Sequence, residues 1–142
     1  MQLIGFNLTK ILAERFPTFK RGPINTNIEF KDVEKTKVDL FKDKEVLNIS
    51  FLFSIIYSDP EKKEELKLGE VSFHGSVILS PDEEEMKEIT KSWKKNEIPD
   101  KYKFPLINYI LRKCSTKALI IEEDLNIPPH MPFPMVKKEE KA

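Results

Sequence analysis

The chain has 142 residues, with 24 basic and 24 acidic side chains and a formal net charge of zero. This balance argues against a nucleic-acid-binding protein, which usually carries a basic surplus or a basic stripe. The length favours one domain with its own core, for which we expect residues 1–136, followed by a disordered charged tail at 137–142.

Cysteine content and hydropathy bear on the compartment. The one cysteine, Cys114, cannot form an internal disulfide, so a reducing compartment is the simpler interpretation. No apolar run approaches the roughly 18 residues of a membrane span, and the N-terminus lacks the pattern of a signal peptide. The sequence therefore predicts a cytoplasmic protein without membrane insertion.

Alternating polarity predicts four β-strands. Residues 3–15 fit a helix or a strand, and Gly5, Asn7 and Thr9 favour the strand because they are poor helix formers. The second strand is predicted at 27–40, with a bulge in its charged part at 31–37. The third strand, at 45–58, and the fourth, at 66–79, form a hairpin around a charged connection.

The third strand is the strongest of the four, and it separates two kinds of surface. Its apolar face is formed by Phe51, Phe53, Ile55 and Tyr57. Its other face mixes serines with Leu52 and Ile56, which suggests burial on one side of the sheet and a contact surface on the other.

Two helices follow the strands. Ser80 is expected to cap the short helix, with Pro81 at its first position and Glu83 completing a capping box, and Trp93 anchors it on the sheet. The long helix is predicted at 104–125, with Pro105 near its start and the acidic run 122–124 solvated. Its apolar stripe is expected at Phe104, Ile107, Leu111, Cys114, Ala118, Ile121 and Leu125, widened by Leu106, Ile110, Leu119 and Ile120.

Four prolines in residues 127–134 exclude a helix and favour an extended strap. Strands followed by helices indicate an α+β fold, with a four-stranded antiparallel sheet and a short and a long helix packed on one face. No composition shift marks a second domain.

Signatures of catalysis are sparse. His74 is interpreted as a core or interface histidine, His130 has no further metal ligands nearby in sequence, and no motif places a base beside Cys114. The four glycines form no phosphate-binding loop. We therefore expect no enzyme, no cofactor and no metal.

Apolar side chains outside the expected core are more informative. They are Phe16 and Phe19 in the connection at 16–23, Leu52 and Ile56 on the second face of the sheet, and Met131 and Phe133 in the strap. These residues either complete the core or form an oligomer interface or a groove for apolar segments.

The layout resembles the SecB family of export chaperones, and particularly its small archaeal and toxin–antitoxin-associated relatives. The resemblance rests on the strand FNLTKI at 6–11, the loop with Phe16, Phe19 and Pro23, the helix opening at Phe104-Pro105, and the exit LNIPP at 125–129. The family's additional C-terminal helix is absent, and the strap takes its place.

The resemblance implies an ATP-independent chaperone that holds unfolded polypeptides, serves protein export or antitoxin stabilisation, and assembles as a dimer of dimers. Within that hypothesis the six apolar residues named above (Phe16, Phe19, Leu52, Ile56, Met131 and Phe133) are assigned to client binding on geometric grounds. Two alternatives remain: an adaptor specific for one partner segment, and a small-ligand-binding or enzymatic α+β domain.

Overall fold

The computed structural model describes residues 1–37, 44–61 and 66–138. Within them the strands form one antiparallel sheet in the order β1-β4-β3-β2, followed in the chain by two helices. The elements are β1 (Gln2–Arg15), β2 (Ile24–Lys37), β3 (Glu45–Ser58), β4 (Lys67–Ser80), α1 (Glu83–Trp93) and α2 (Asp100–Asp124). The predicted α+β fold is confirmed.

The strand predictions differ from the structure mainly at their ends. β2 begins three residues earlier than predicted, and residues 38–40 of the predicted strand lie outside the described residues. The register between β2 and β3 shifts between Phe30 and Asp32, which confirms the bulge. β1 is a strand, and β3 has the predicted bounds.

The core lies between the sheet and the helices. In β3 the side chains of Phe51, Phe53 and Ile55 are at most 1% exposed, whereas Leu52 and Ile56 are half-buried on the outer face. Phe73 of β4 lies beside Phe53 on the same face, with ring centroids 5.9 Å apart. Strict alternation in the central strands thus produces the apolar face on which α2 packs.

The predicted stripe of α2 is buried only in part, at Leu106, Ile110, Cys114 and Ala118. Phe104 is 58% exposed, and the buried residues recur every four positions: Tyr102, Leu106, Ile110, Cys114, Ala118 and Glu122. An i+4 row winds slowly around a helix, so it can follow a sheet that twists. The expectation of a solvated Glu122 is therefore wrong, because the same row brings its side chain into the interior.

The helix starts also differ from prediction. Asp82, rather than Ser80, caps α1: the Glu85 N–H donates to Asp82 Oδ1 at 2.8 Å, and the Asp82 N–H donates to Glu85 Oε1 at 3.0 Å. Ser80 cannot take that role because it still pairs with Gln2 in the sheet. Because α2 begins at Asp100, Pro105 lies inside the helix on an exposed side rather than near its first turn.

Neither helix within the three described ranges combines the length and the hydropathy that a bilayer crossing requires.

Candidate functional site

The strap (residues 127–134) folds back along the end of α2. Asn126 adopts a left-handed backbone conformation with φ of 53°, which asparagine tolerates at a helix end. The Ile127 N–H donates to the Glu122 carbonyl oxygen at 3.0 Å, and the Ile127 side chain is only 5% exposed. The strap contains no helix, as its prolines predicted, and its first residue joins the core.

A buried polar cluster (Tyr57, Ser115, Glu122 and His130) fixes the strap to the sheet and the helix. Glu122 Oε2 accepts hydrogen bonds from the Tyr57 hydroxyl and, at 2.8 Å, from the His130 N–H. Glu122 Oε1 lies 2.8 Å from His130 Nδ1, and the two side chains are 1% and 4% exposed. The carboxylate thus has donors on both oxygens, which offsets the cost of burying it.

The remaining contacts of the cluster reach the strap backbone and α2. The Tyr57 hydroxyl also lies 2.9 Å from the Pro128 carbonyl oxygen. His130 Nε2 is 3.1 Å from Ser115 Oγ, and its ring stands edge-on to Phe53 with 6.2 Å between ring centroids. Burial, and then the neighbouring carboxylate of Glu122, raise the pKa of Tyr57, so its hydroxyl stays protonated and able to donate.

A groove of about 540 Å³ opens beside the cluster, between the strap, the end of α2 and the loop that follows β1. We call it the strap groove, and its lining includes Phe19, Arg21, Leu119, Glu123, Ile127 and Phe133. Phe19 packs against Tyr57 with ring centroids 6.0 Å apart, and Phe133 is 52% exposed. The groove therefore has aromatic walls, and its lining also includes Arg21 and the carboxylates of Glu122 and Glu123.

A second opening of about 420 Å³ lies on the other side of Leu119. We call it the Ser115 pocket, and it is lined mainly by Leu111, Arg112, Ser115, Leu119, His130 and Met131. Leu119 borders both openings, so the strap groove and the Ser115 pocket lie on one flank of α2.

The structure groups only some of the six predicted client-binding residues. Phe19 and Phe133 line the strap groove, and Met131 lines the Ser115 pocket and is 42% exposed. Leu52 and Ile56 lie on the outer face of the sheet, opposite to α2.

Phe16 is half-buried, and its N–H donates to the Leu68 carbonyl oxygen at 2.9 Å. This places it at the end of β1, where it extends the pairing with β4. The six residues therefore do not form one continuous surface.

Sequence reasoning missed the polar cluster. Glu122 belongs to an acidic run, and His130 lies among prolines, so neither had a local partner that would indicate burial. The available signal was the i+4 row itself, because extending the buried row Leu106, Ile110, Cys114 and Ala118 by four residues reaches Glu122.

Cys114 is a buried member of the same row. Burial raises the pKa of the Cys114 thiol to about 12, so it is a poor nucleophile at neutral pH. In the described ranges, no three His, Cys, Asp or Glu side chains are grouped as a metal ion would require.

Comparisons with known proteins find similarity among solved structures. No family model and no curated protein sequence matches the chain. Among solved structures, the chain is similar to a SecB-like chaperone of Mycobacterium tuberculosis in complex with a ChAD peptide from the HigA1 antitoxin. The TM-score is 0.47 and the identity 15%, over 98% of this chain and 92% of that chain. This likeness concerns the fold alone and assigns no role to the strap groove.

Proposed function

We propose that this protein is an ATP-independent chaperone that binds extended, non-native polypeptide segments in the strap groove. The observation that carries the proposal is that the flank of α2 already holds one such segment, the strap. The Tyr57 hydroxyl reaches the Pro128 carbonyl oxygen, and Glu122 accepts the His130 N–H, so side chains bind the strap through its backbone. Backbone binding of this kind does not depend on the sequence of the bound segment.

Apolar contact would supply the affinity. Phe133 is 52% exposed, and a phenylalanine side chain has roughly 200 Å² to bury, so a client could cover about 100 Å² of it. At about 25 cal/mol per Å² this is about 2.5 kcal/mol from one side chain, an upper value before ordering costs. Phe19 and Leu119 enlarge the same apolar wall.

Assembly as a dimer of dimers belongs to the same proposal. Within the described parts of the sheet and the helices, three large apolar side chains away from the groove are more than half exposed: Ile11 on β1 at 54%, Phe104 at 58% and Ile120 at 63% on α2. Contact with further copies would bury them. Because the sequence resembles the SecB family, we include in the proposal that the chaperone serves protein export or antitoxin stabilisation.

The test is light scattering of a chemically unfolded protein, diluted with and without the chain. Wild type should suppress aggregation without ATP, and the double variant Met131→Ser with Phe133→Ser should lose most of that suppression. Met135→Ser with Val136→Ser is the matched control, because it removes two apolar side chains that are more exposed than Phe133 and do not line the groove. The mass of each variant is measured alongside, so that a change of assembly is recognised.

Two results would contradict the proposal. If Leu52→Ser with Ile56→Ser abolished suppression while the strap variants kept it, clients would bind the outer face of the sheet. If wild type bound one peptide saturably but suppressed no aggregation, the chain would be a partner-specific adaptor.

A further inference from the structure

Three members of the buried polar cluster are arranged as a proton relay. An ionised carboxylate only accepts hydrogen bonds, so the 2.8 Å contact with Glu122 Oε1 requires a hydrogen on His130 Nδ1. In the neutral ring His130 Nε2 is then the acceptor, and the Ser115 hydroxyl at 3.1 Å is the donor that faces it. Ser115, His130 and Glu122 thus stand in the order of nucleophile, base and orienting carboxylate, which is the arrangement that activates a serine.

Glu122 and His130 are held rigidly in the interior, whereas Ser115 faces an open pocket. The side chains of Glu122 and His130 are 1% and 4% exposed, and the backbone N–H of His130 donates to the same carboxylate at 2.8 Å. Ser115 is half-buried and lines the Ser115 pocket together with His130. The proton acceptor is therefore held away from water while the hydroxyl faces a space of about 420 Å³.

The pocket indicates the kind of molecule that would enter. Leu111, Leu119 and Met131 give it apolar walls suited to an aliphatic chain. Arg112, three residues before Ser115 and so on the neighbouring turn, lines the same pocket and carries a permanent positive charge. Its guanidinium lies over the Tyr109 ring, with Cζ 5.6 Å from the ring centroid, and a cation beside the pocket suits an ester carbonyl, whose oxygen becomes negative when a nucleophile adds to the carbon.

We propose that Ser115 is an acyl-accepting nucleophile for small esters with an apolar acyl chain. Ser115 Oγ forms a bond to the carbonyl carbon as its proton passes to His130 Nε2. The bond from that carbon to the alcohol oxygen breaks, and the alcohol leaves with the proton from His130. Water then adds to the acyl carbon as His130 Nε2 takes a proton from it, the bond from that carbon to Ser115 Oγ breaks, and the proton passes from His130 to Oγ, which releases the carboxylic acid and restores Ser115. Glu122 acts through His130 and is a positioning residue.

The test uses the isolated full chain and a fluorescent alkyl fluorophosphonate, which phosphonylates activated serines. Wild type should be labelled, with the adduct mapped to Ser115 by mass spectrometry, and Ser115→Ala should not be labelled. His130→Gln should lower the labelling rate by about a hundredfold or more, because glutamine cannot accept the proton. Ser92→Ala is the matched control, since Ser92 is a half-buried helical serine outside the relay, and it should label like wild type.

Hydrolysis of p-nitrophenyl butyrate provides the second readout, with nitrophenol release expected from wild type and absent in Ser115→Ala. Thermal unfolding establishes that each variant is folded before rates are compared. Wild type that is neither labelled nor active on the ester, or labelling equal in Ser115→Ala, would overturn the assignment. The assignment of Ser115 does not depend on polypeptide binding, and no unfolded client is present in either assay. A negative result for Ser115 would therefore leave the chaperone proposal untouched, since that proposal has its own test.

Discussion

Removal of one hydroxyl, in Tyr57→Phe, is expected to loosen the strap and destabilise the whole fold. The Tyr57 side chain is 2% exposed, and its hydroxyl contacts both Glu122 Oε2 and the Pro128 carbonyl oxygen. The substitution keeps the ring in the core and removes only these contacts. Glu122 Oε2 then retains the His130 N–H as its donor, and the Pro128 carbonyl oxygen, which shares the one hydroxyl hydrogen with that carboxylate, loses its contact with Tyr57.

The magnitude follows from the kind of hydrogen bond that is lost. A buried hydrogen bond to a charged group contributes about 1.5–3 kcal/mol, and this accounts for most of the loss because one hydroxyl hydrogen serves both acceptors. We therefore expect a decrease of about 2–3 kcal/mol in the free energy of unfolding. Tyr102→Phe is the matched control, because its hydroxyl donates to Glu88 at 2.8 Å, and the Glu88 side chain is 35% exposed. There solvent can replace the lost partner, and about 1 kcal/mol or less is expected.

Urea unfolding of both variants, at one protein concentration and followed by circular dichroism, measures the two losses. Hydrogen exchange adds a local readout. The amide of His130, which is bonded to Glu122, should exchange faster in Tyr57→Phe, and its exchange rate should be unchanged in Tyr102→Phe. Equal losses in the two variants, or an equally protected His130 amide, would refute the idea that the cluster fixes the strap.

Two further predictions concern the core and the sheet. Cys114 should resist thiol reagents in the native protein at pH 8 and react once the chain unfolds, because burial raises its pKa to about 12; native labelling at the rate of a free thiol would contradict this. Gly75→Ala should destabilise by about 1–3 kcal/mol, because an added Cβ would collide with the Asn7 carbonyl oxygen, whereas at Gly5 its nearest contact is a side chain at 3.2 Å. Melting temperatures compare Gly75→Ala with Gly5→Ala, and equal values would argue against that close approach.

The strands were predictable because their signal is local. Side chains in a strand point alternately to opposite faces, so Phe51, Phe53 and Ile55 indicate one buried face without knowledge of the rest of the chain. The bulge was predictable for a similar reason, since the pattern breaks near Lys31, between the paired residues Phe30 and Asp32. Fold class follows from the order of such segments.

The buried face of α2 was harder to predict because apolar residues surround most of that helix. Stripes through Phe104 or through Leu106 both satisfy a helical period, and only the direction in which α2 crosses the sheet distinguishes them. That direction depends on contacts between distant parts of the chain. The burial of Glu122 is likewise determined by Tyr57, which lies 65 residues away in sequence.

The separation of the six candidate residues also follows from the sheet. Leu52 lies one residue from Phe53 in β3, and a step of one residue reverses the face, so Leu52 cannot reach the flank of α2. Phe19 and Phe133 line the same groove, because it lies between the segments that follow β1 and α2. A polypeptide bound in the strap groove would therefore contact neither Leu52 nor Ile56. Clients that needed all six residues would have to wrap around an edge of the sheet, and the strap and outer-face variants separate these two modes of binding.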